Sequence, residues 1–396
     1  MLVQPCANAR RGERRLIDSL KGSAAAGGVF LAAALGAGAA HADPLGMPPM
    51  SASLSANANP LSIDTELFGP IHVTGAVTGM GYVQNHPMGA DKKSRIDATS
   101  AQVFLQTTEG PVQFYIQAGA YSIPTIGVPY TKAADLTPAT FDVIPQAYVK
   151  IAPTENFSIQ VGKLPTLIGA EYTFSFQNLN IQRGLVWNQE NAVNRGVQVN
   201  YSTGPVSFSA ALGDGFYSDK LSWLSGLVAF AIDESNVLAV AAGGNLSNSG
   251  QSTSATPQIQ NNQDIYNVIY THTSGPLTLT PYFQYTKIHE TRSLGIAEAS
   301  STGLALLANY NIDDNWKLAG RAEYIWTKGA GTNLLYGDGS DAWSLTVTPT
   351  WQQGIFFVRG ELSYVKAKDI TPGLGMGRLG LDRSQTRALL ETGFLF

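Results

Sequence analysis

Cysteine, charge and long apolar runs are all scarce in this sequence of 396 residues. With Cys6 as its single cysteine, the chain has no disulfide framework, so hydrogen bonding and burial must hold the fold. Charged residues make up only 14% of the chain, against the usual quarter, without a rise in leucine or isoleucine. This argues against a disordered chain and against a helical membrane protein. Beyond residue 42 no run of about 18 apolar residues occurs, so no spanning helix is predicted there.

The first 42 residues have the three parts of a secretory signal peptide. Five basic residues precede an apolar stretch at 24–40, and the small residues Ala40 and Ala42 frame a cleavage site before Asp43. An N-terminal membrane helix is the alternative, but the apolar stretch is rich in alanine and glycine. We predict that residues 1–42 are removed on export, which takes away Cys6 and changes the formal charge from −4 to −7. Such a chain is not expected to bind nucleic acid.

The rest of the sequence divides into two parts. Residues 43–69 are rich in proline, serine, alanine and asparagine, which predicts a flexible N-terminal leader. Residues 70–396 contain abundant glycine and tyrosine in alternating segments, which suits strands with one apolar face and one small, polar face. We predict that this second part is a single β-barrel domain.

Short turns and long loops alternate strictly along residues 70–396. Seven short turn sequences separate segments of strand length: 107–111, 152–156, 202–205, 232–236, 273–276, 312–315 and 352–354. Longer polar stretches lie between them: 85–96, 122–142, 164–193, 213–221, 246–263, 288–300, 328–341 and 367–383. This alternation is typical of outer-membrane barrels, which have tight periplasmic turns and long outer loops. We predict an all-β transmembrane antiparallel barrel of about 16 strands, with a long loop after strand 5.

Charged residues in three predicted strands fall on the face opposite the aromatic and aliphatic residues. A charge that faces lipid at mid-depth costs about 2–4 kcal/mol, so these faces should look into a wet lumen. The predicted pore-lining residues are Arg321, Glu323, Arg359, Glu361, Arg387 and Glu391. A soluble β-sandwich is the alternative, but its outer faces should carry more charge than this.

One predicted strand contains a proline in an unusual place. Pro349 lies in the middle of the alternating segment 341–353. Proline cannot donate a ladder hydrogen bond, and a closed barrel has no free edge on which to place it. We therefore predict a local bulge at Pro349.

Residues 161–201 resemble the signature region of the OmpL-like β-barrel porin family of Gram-negative outer membranes. The matching positions are Gly162, Gly169 to Glu171, Asn178 to Asn180, Arg183 and the strand start at Gly196 and Val197. The resemblance covers most of residues 70–396, although outside 161–201 it rests on the general barrel pattern. It implies an outer-membrane pore that admits small hydrophilic solutes or ions by passive diffusion, without cofactor or metal.

The longest predicted loop, residues 164–193, contains the candidates for a constriction. Long loops in compact proteins tend to be functional, and one that folds into the lumen would narrow it and present charges there. The candidates are Glu171, Tyr172, Phe174, Arg183, Trp187 and Glu190. The alternative is an outward loop that covers the barrel mouth or a neighbouring subunit.

The sequence ends in an alternating segment, RALLETGFLF, whose Leu390, Phe394 and Phe396 share one face. Chain termini usually fray into solvent, so an apolar terminus is expected to be held by contacts with other parts of the protein. We predict that this last strand pairs with the first, near residues 72–83, because an unpaired edge in lipid leaves backbone groups unsatisfied. The family resemblance adds that the barrel-assembly machinery of the outer membrane reads such a terminal pattern.

Three functions are compatible with the sequence. A porin is predicted, a substrate-specific channel for a sugar or organic acid is the first alternative, and an outer-membrane hydrolase is the second. No histidine after residue 42 lies in a nucleophile elbow, an H-E-x-x-H pattern or a paired metal spacing, so no enzyme is predicted. Expected partners are outer-membrane lipids, the assembly machinery and small hydrophilic solutes or ions, and a homotrimer stays open.

Overall fold

The structure, a computed structural model, describes four stretches of the chain: 49–51, 53–250, 258–329 and 335–396. The predicted signal peptide lies outside the described residues, as does the start of the predicted leader, residues 43–48. Sixteen long strands form a closed antiparallel wall, and a short strand, β1, precedes them. The predicted sixteen-stranded antiparallel barrel is therefore confirmed.

The strands alternate in direction around the wall in chain order. Their bounds are β1 (Leu61–Thr65), β2 (Gly69–Gln84), β3 (Ser94–Thr107), β4 (Val112–Tyr121), β5 (Gln146–Thr154), β6 (Phe157–Pro165), β7 (Val193–Thr203), β8 (Val206–Gly213), β9 (Trp223–Asp233), β10 (Asn236–Asn245), β11 (Gln263–Ser274), β12 (Leu277–Ile288), β13 (Ala299–Asn311), β14 (Trp316–Gly329), β15 (Asp341–Gln353), β16 (Phe356–Lys368) and β17 (Ser384–Leu395). One short helix, α1 (Ala133–Ala139), lies between β4 and β5. Within the described stretches, every helix is too short or too polar to cross a bilayer.

The barrel closes between β17 and β2, as the sequence predicts. The pairing runs from Arg387 opposite Gln84 to Leu395 opposite Ala76. Beyond it, the backbones of Gly75 and Phe396 exchange two hydrogen bonds, of 2.8 and 3.0 Å. Closure matters because each backbone group left unpaired in lipid would cost several kcal/mol.

Short turns lie at one end of the barrel and long connections at the other. The long connections span residues 85–93, 122–145, 166–192, 214–222, 246–262, 289–298, 330–340 and 369–383. By the usual orientation of outer-membrane barrels, the short turns face the periplasm. The connection at 166–192 follows β6, the fifth strand of the wall, and is the longest.

Pro349 does not form the predicted bulge. On the β16 side, Val347 lies opposite Leu362 and Thr350 lies opposite Arg359, so the register is the same before and after the proline. The ladder only omits the pairs between these two points, where the proline has no N–H to donate.

Part of the predicted flexible leader has a defined position. Strand β1 pairs with the start of β2, from Leu61 opposite Val73 to Thr65 opposite Gly69. It pairs with the part of β2 that extends beyond the end of β17. Composition did not indicate this strand, because pairing with a free strand edge uses backbone groups that every residue except proline carries.

Candidate functional site

The candidate site is the inside of the barrel, where residues 166–192, here called the inner loop, leave β6 and return through β7. Two of its turns are short 3-10 helices, Ser175–Gln177 and Trp187–Gln189. Most of its side chains are buried against inward-facing residues of the wall. The sequence left the direction of this loop open, and the structure places it inside the barrel.

Six charged side chains on β14, β16 and β17 form what we call the charged stripe. Its members are Arg321, Glu323, Arg359, Glu361, Arg387 and Glu391. All six face inward, as their sequence parity predicts, and each is at most 5% exposed. The inner loop covers them, so they contact its backbone and side chains instead of open water. Their pore-lining role stays a prediction, while their contact with the loop is a structural finding.

The carboxylates of the stripe accept hydrogen bonds from the inner loop. Glu361 accepts from the backbone N–H of Ile181 and from the Nε2 of Gln182, at 2.8 Å in the second case. Glu323 accepts from the backbone N–H of Val186 at 3.1 Å. Glu391 accepts from the hydroxyl of Ser175 at 2.7 Å. The loop residues that these carboxylates anchor therefore lie between positions 175 and 186.

The guanidinium groups of the stripe donate to the same segment. Arg359 donates to the carbonyl oxygens of Ser175 and Asn178, each at 2.9 Å. It also pairs with Glu391, with 3.0 Å between Nε and Oε2. Arg387 donates to the Oε1 of Gln182 at 2.7 Å, and Arg321 donates to the Gln182 carbonyl at the same distance.

These contacts have one physical cause. An irregular loop inside a barrel has few backbone partners of its own, and unpaired buried N–H and C=O groups are costly. The charged stripe supplies partners from the wall, and Arg183 supplies them from within the loop. Arg183 is fully buried and donates to the carbonyl oxygens of Thr173, Asn180 and Ile181, at 3.2, 2.9 and 2.6 Å.

Aromatic and aliphatic contacts hold the loop against the opposite parts of the wall. Phe174 packs edge-on against Tyr121 with 5.1 Å between ring centroids, and Phe176 lies 5.8 Å from Phe104. Leu167 belongs to a second packed cluster with residues of β8 to β11. Trp187 is buried in the same cluster as Phe174.

The remaining constriction candidates differ in how they are paired. Glu171 forms an ion pair with Arg321 at 2.6 Å and accepts a hydrogen bond from the backbone of Gly184 at 2.9 Å. Glu190 accepts a hydrogen bond from the hydroxyl of Tyr282 and packs against Gly169, where an added Cβ would lie 1.8 Å from its Oε2. Among the described residues, no cationic side chain lies within ion-pair distance of Glu190.

A small cavity separates the inner loop from the wall at β9 to β13. Its volume is about 70 Å³, and its lining includes Glu171 and Tyr172 from the loop and Thr271, Thr278 and Asn309 from the wall. A space of this size holds only a few water molecules. This cavity is therefore too small to hold a solute as large as a sugar.

Asp91 lies in the outer connection 85–93, at the end of the barrel opposite the short turns, and forms hydrogen bonds with several elements. It accepts hydrogen bonds from the Tyr82 hydroxyl at 2.6 Å, the Gln84 Nε2 at 2.8 Å and the Tyr130 backbone at 3.1 Å. Its Oδ2 also lies 3.8 Å from Arg387. Burial alone would raise the pKa of Asp91, but the hydrogen bonds from Tyr82 and Gln84 outweigh it and hold that pKa below its ordinary value.

Sequence analysis did not select Asp91, Gln182 or Tyr282. Asp91 precedes two lysines in a polar loop, a pattern that is typical of a solvated surface. Gln182 stands beside Arg183 in the region of family resemblance, which was the only signal for it. Tyr282 lies on a strand 92 positions from Glu190, and nothing in the sequence joins the two.

The three residues of the predicted assembly signal lie on the outer face. Leu390, Phe394 and Phe396 are 57%, 48% and 38% exposed, respectively. The Phe396 ring lies directly over Gly75, where an added Cβ would approach its Cζ to 2.2 Å. A larger residue at position 75 would displace the terminal ring, but the signalling role itself stays a prediction.

Comparison with protein families gives one match over nearly the whole described chain. A family model described as "Putative beta-barrel porin-2, OmpL-like" matches residues 70–396. The match includes residues 161–201, on which the resemblance in the sequence rests. No curated protein sequence matches the chain.

Several solved structures share the fold at low sequence identity. An anion-selective porin from Comamonas acidovorans has a TM-score of 0.57 at 14% identity, covering 82% of this chain and 99% of its own. The outer membrane channel DcaP of Acinetobacter baumannii has a TM-score of 0.57 at 11% identity, covering 84% and 99%. Salmonella typhi OmpF has a TM-score of 0.56 at 13% identity, covering 85% and 100%. At such identities the likeness concerns the fold alone.

Proposed function

Because the chain belongs to the OmpL-like β-barrel porin-2 family, it is an outer-membrane porin for passive diffusion, and we propose that its inner loop is the constriction. The observation that carries this proposal is the contact between the loop and the charged stripe. A loop held in this way narrows the lumen and leaves solutes only the space between it and the wall. Solutes then move down their gradient without cofactor or energy coupling.

Selectivity would come from the size of the remaining passage and from the charges beside it. The buried ionisable side chains of the loop and stripe comprise four guanidinium groups and five carboxyl groups: Arg183, Arg321, Arg359, Arg387, Glu171, Glu190, Glu323, Glu361 and Glu391. Glu171 and Glu323 share one arginine, Arg321. Because two carboxylates share this one guanidinium group, we propose that the site favours cations over anions.

Single-channel recording of the purified protein in a salt gradient tests the proposal. Deletion of Phe174 to Trp187 should raise the conductance, because it removes the segment that the stripe anchors. The double variant Glu171→Gln and Glu190→Gln should move the reversal potential toward that of an anion-preferring pore. Glu290→Gln is a matched control, because this glutamate is half exposed in the outer connection 289–298. A deletion variant that inserts and keeps the wild-type conductance would show that the loop does not limit passage.

Targeting and partners complete the proposal. We propose that residues 1–42 are a cleaved signal peptide and that the assembly machinery reads Leu390, Phe394 and Phe396 before the barrel meets outer-membrane lipids. The small hydrophilic solutes or ions that cross it would be its only transient partners, and no catalytic role is proposed. A trimer form is described for OmpT of Vibrio cholerae, with a TM-score of 0.54, which supports testing for a homotrimer.

A further inference from the structure

The chain enters its own barrel before the first strand. Residues 49–51 and 53–55, which we call the N-terminal segment, lie against the inner loop. The backbone N–H of Ser51 donates to the Gln177 carbonyl at 2.7 Å, and the Gln177 Nε2 donates to the Pro49 carbonyl at 3.0 Å. The Ser53 hydroxyl donates to the Leu179 carbonyl at 3.2 Å. The segment therefore occupies space inside the barrel next to the anchored part of the loop.

The other end of the segment reaches the periplasmic rim. Ser55 and Gln352 exchange two hydrogen bonds, each of 2.8 Å, and Gln352 lies at the end of β15 beside a short turn. The chain next forms β1 from Leu61, which pairs with β2. Between β15 and β2 lie three strand spacings, about 14 Å. Six residues can span about 20 Å, so the chain can pass along the periplasmic rim from β15, past β16 and β17, to β2.

Burial of Leu54 explains an otherwise unexpected feature of the wall. The interior of a transmembrane barrel is usually polar, yet Phe104, Phe357 and Leu395 face inward and are almost completely buried. Leu54 is 2% exposed and belongs to the same packed cluster as these residues and Phe176. The N-terminal segment thus covers apolar surface that the lumen would otherwise expose to water.

The segment is held more weakly than the inner loop. Its hydrogen bonds are to neutral groups, apart from one of 3.5 Å that the Lys317 Nζ donates to the exposed Ser55 hydroxyl. Its apolar contacts are those of Met50 and Leu54, and among the described residues it forms no ion pair. The inner loop, in contrast, is anchored by charged groups on three strands and by Arg183. Pairing of β1 with β2 tethers the segment to the periplasmic rim independently of these contacts.

We propose that the N-terminal segment is a plug for the periplasmic mouth, whose release opens the channel past the inner loop. The inference rests on the proposed function of the inner loop as a constriction. It assigns the opening step to the plug and the selection among solutes to the loop.

The first test compares two variants that add the same charge before β1, one inside the N-terminal segment and one just after it. Leu54→Asp places a carboxylate in the apolar cluster and should expel the plug, so that single-channel conductance rises about twofold or more. Ala58→Asp is the matched control, because position 58 is exposed and no contact of it with the loop is recorded. Removal of residues 43–56 should reproduce the effect of Leu54→Asp. If Leu54→Asp and the protein without residues 43–56 both insert as heat-modifiable barrels and have the same conductance as Ala58→Asp, the plug is refuted.

The second test holds the plug in place. The Ser53 hydroxyl lies 3.4 Å from the Oδ1 of Asn309, so cysteines at these two positions should join through a disulfide or a short bifunctional thiol reagent. The linked protein should conduct less than the same sample after reduction or without the reagent. Equal conductance of the linked and unlinked forms would contradict release of the plug as the opening step.

The two proposals fail in different ways. Wild-type conductance that responds to deletion of Phe174 to Trp187, but not to Leu54→Asp or to removal of residues 43–56, overturns the plug alone. Absence of conductance in the wild type and in all these variants overturns the proposed function and the plug with it.

Discussion

Replacement of Arg359 by methionine is the most direct perturbation of the inner loop. This arginine is fully buried and connects three groups: the Glu391 carboxylate and the carbonyl oxygens of Ser175 and Asn178. Methionine has a similar length and no charge. The change therefore removes the donors and leaves the backbone of the wall and its register unchanged.

The expected magnitude follows from the charge that remains. Removal of one partner of a buried ion pair costs about 3–5 kcal/mol, because the other charge is left uncompensated. If this cost falls on the attachment of the loop, the population of released loop rises by roughly two to nearly four orders of magnitude, since about 1.4 kcal/mol is a factor of ten. Conductance states with a displaced loop, which are rare in the wild type, should then dominate the recording.

A charge-neutral double variant separates the two contributions. Arg359→Met with Glu391→Leu leaves no unpaired charge. The remaining losses are the two hydrogen bonds from Arg359 to the Ser175 and Asn178 carbonyls and the one from the Ser175 hydroxyl to Glu391. A buried carbonyl that loses its partner costs about 1–3 kcal/mol. The double variant should therefore open less often than the single variant and more often than the wild type.

Single-channel recording checks this order, with heat modifiability on SDS gels as the test of barrel assembly. A single variant that assembles and keeps the wild-type conductance and noise would refute the claim that the stripe anchors the loop. A double variant that opens more than the single variant would refute the role given to the unpaired charge.

Three further predictions concern other parts of the molecule. Deletion of Phe396 should sharply reduce heat-modifiable barrel in cells and only mildly impair refolding into detergent; equal loss in both would indicate packing of about 1.5–3 kcal/mol instead of a signal. Glu171→Gln alone should lower the preference for cations in reversal-potential measurements. An unchanged reversal potential would show that the charge of Glu171 does not influence the ions that pass. Because the folded pKa of Asp91 is lowered, its contacts with Tyr130 are at full strength above a carboxyl pKa of about 3.9 and weaken as the pH falls further. Wild-type channel noise should then increase below about pH 4, whereas Asp91→Asn should be noisy at pH 7 and lack this acid dependence.

The wall of the barrel could be predicted because its determinants are local. The period of two assigns each side chain to lipid or lumen, and turn residues mark where each strand ends. Pairing of β17 with β2 followed from the cost of an open edge in lipid, without any contact between them being visible in the sequence. Pro349 shows the limit of such reasoning, because the ladder accommodates it by omitting hydrogen bonds and keeping its register.

The contents of the barrel could be predicted only in part. Parity placed Arg359 and Glu361 on the inner face, and loop length selected the inner loop as a constriction candidate. Neither property says which wall residue meets which loop residue. Glu361 binds Gln182, which lies 179 positions away in the chain. A contact over such a separation produces no periodic pattern in the sequence.

The sequence by itself determined that this chain is a barrel of about sixteen strands with polar and charged residues facing inward, because alternation and turn chemistry act between near neighbours. Only the tertiary structure decided that those charges hold the inner loop and that Leu54 lies inside the periplasmic mouth. The physical reason is that irregular segments depend on the inward-facing side chains of the wall for hydrogen bonds and apolar contacts. Those side chains come together only when all the strands have paired and the barrel has closed.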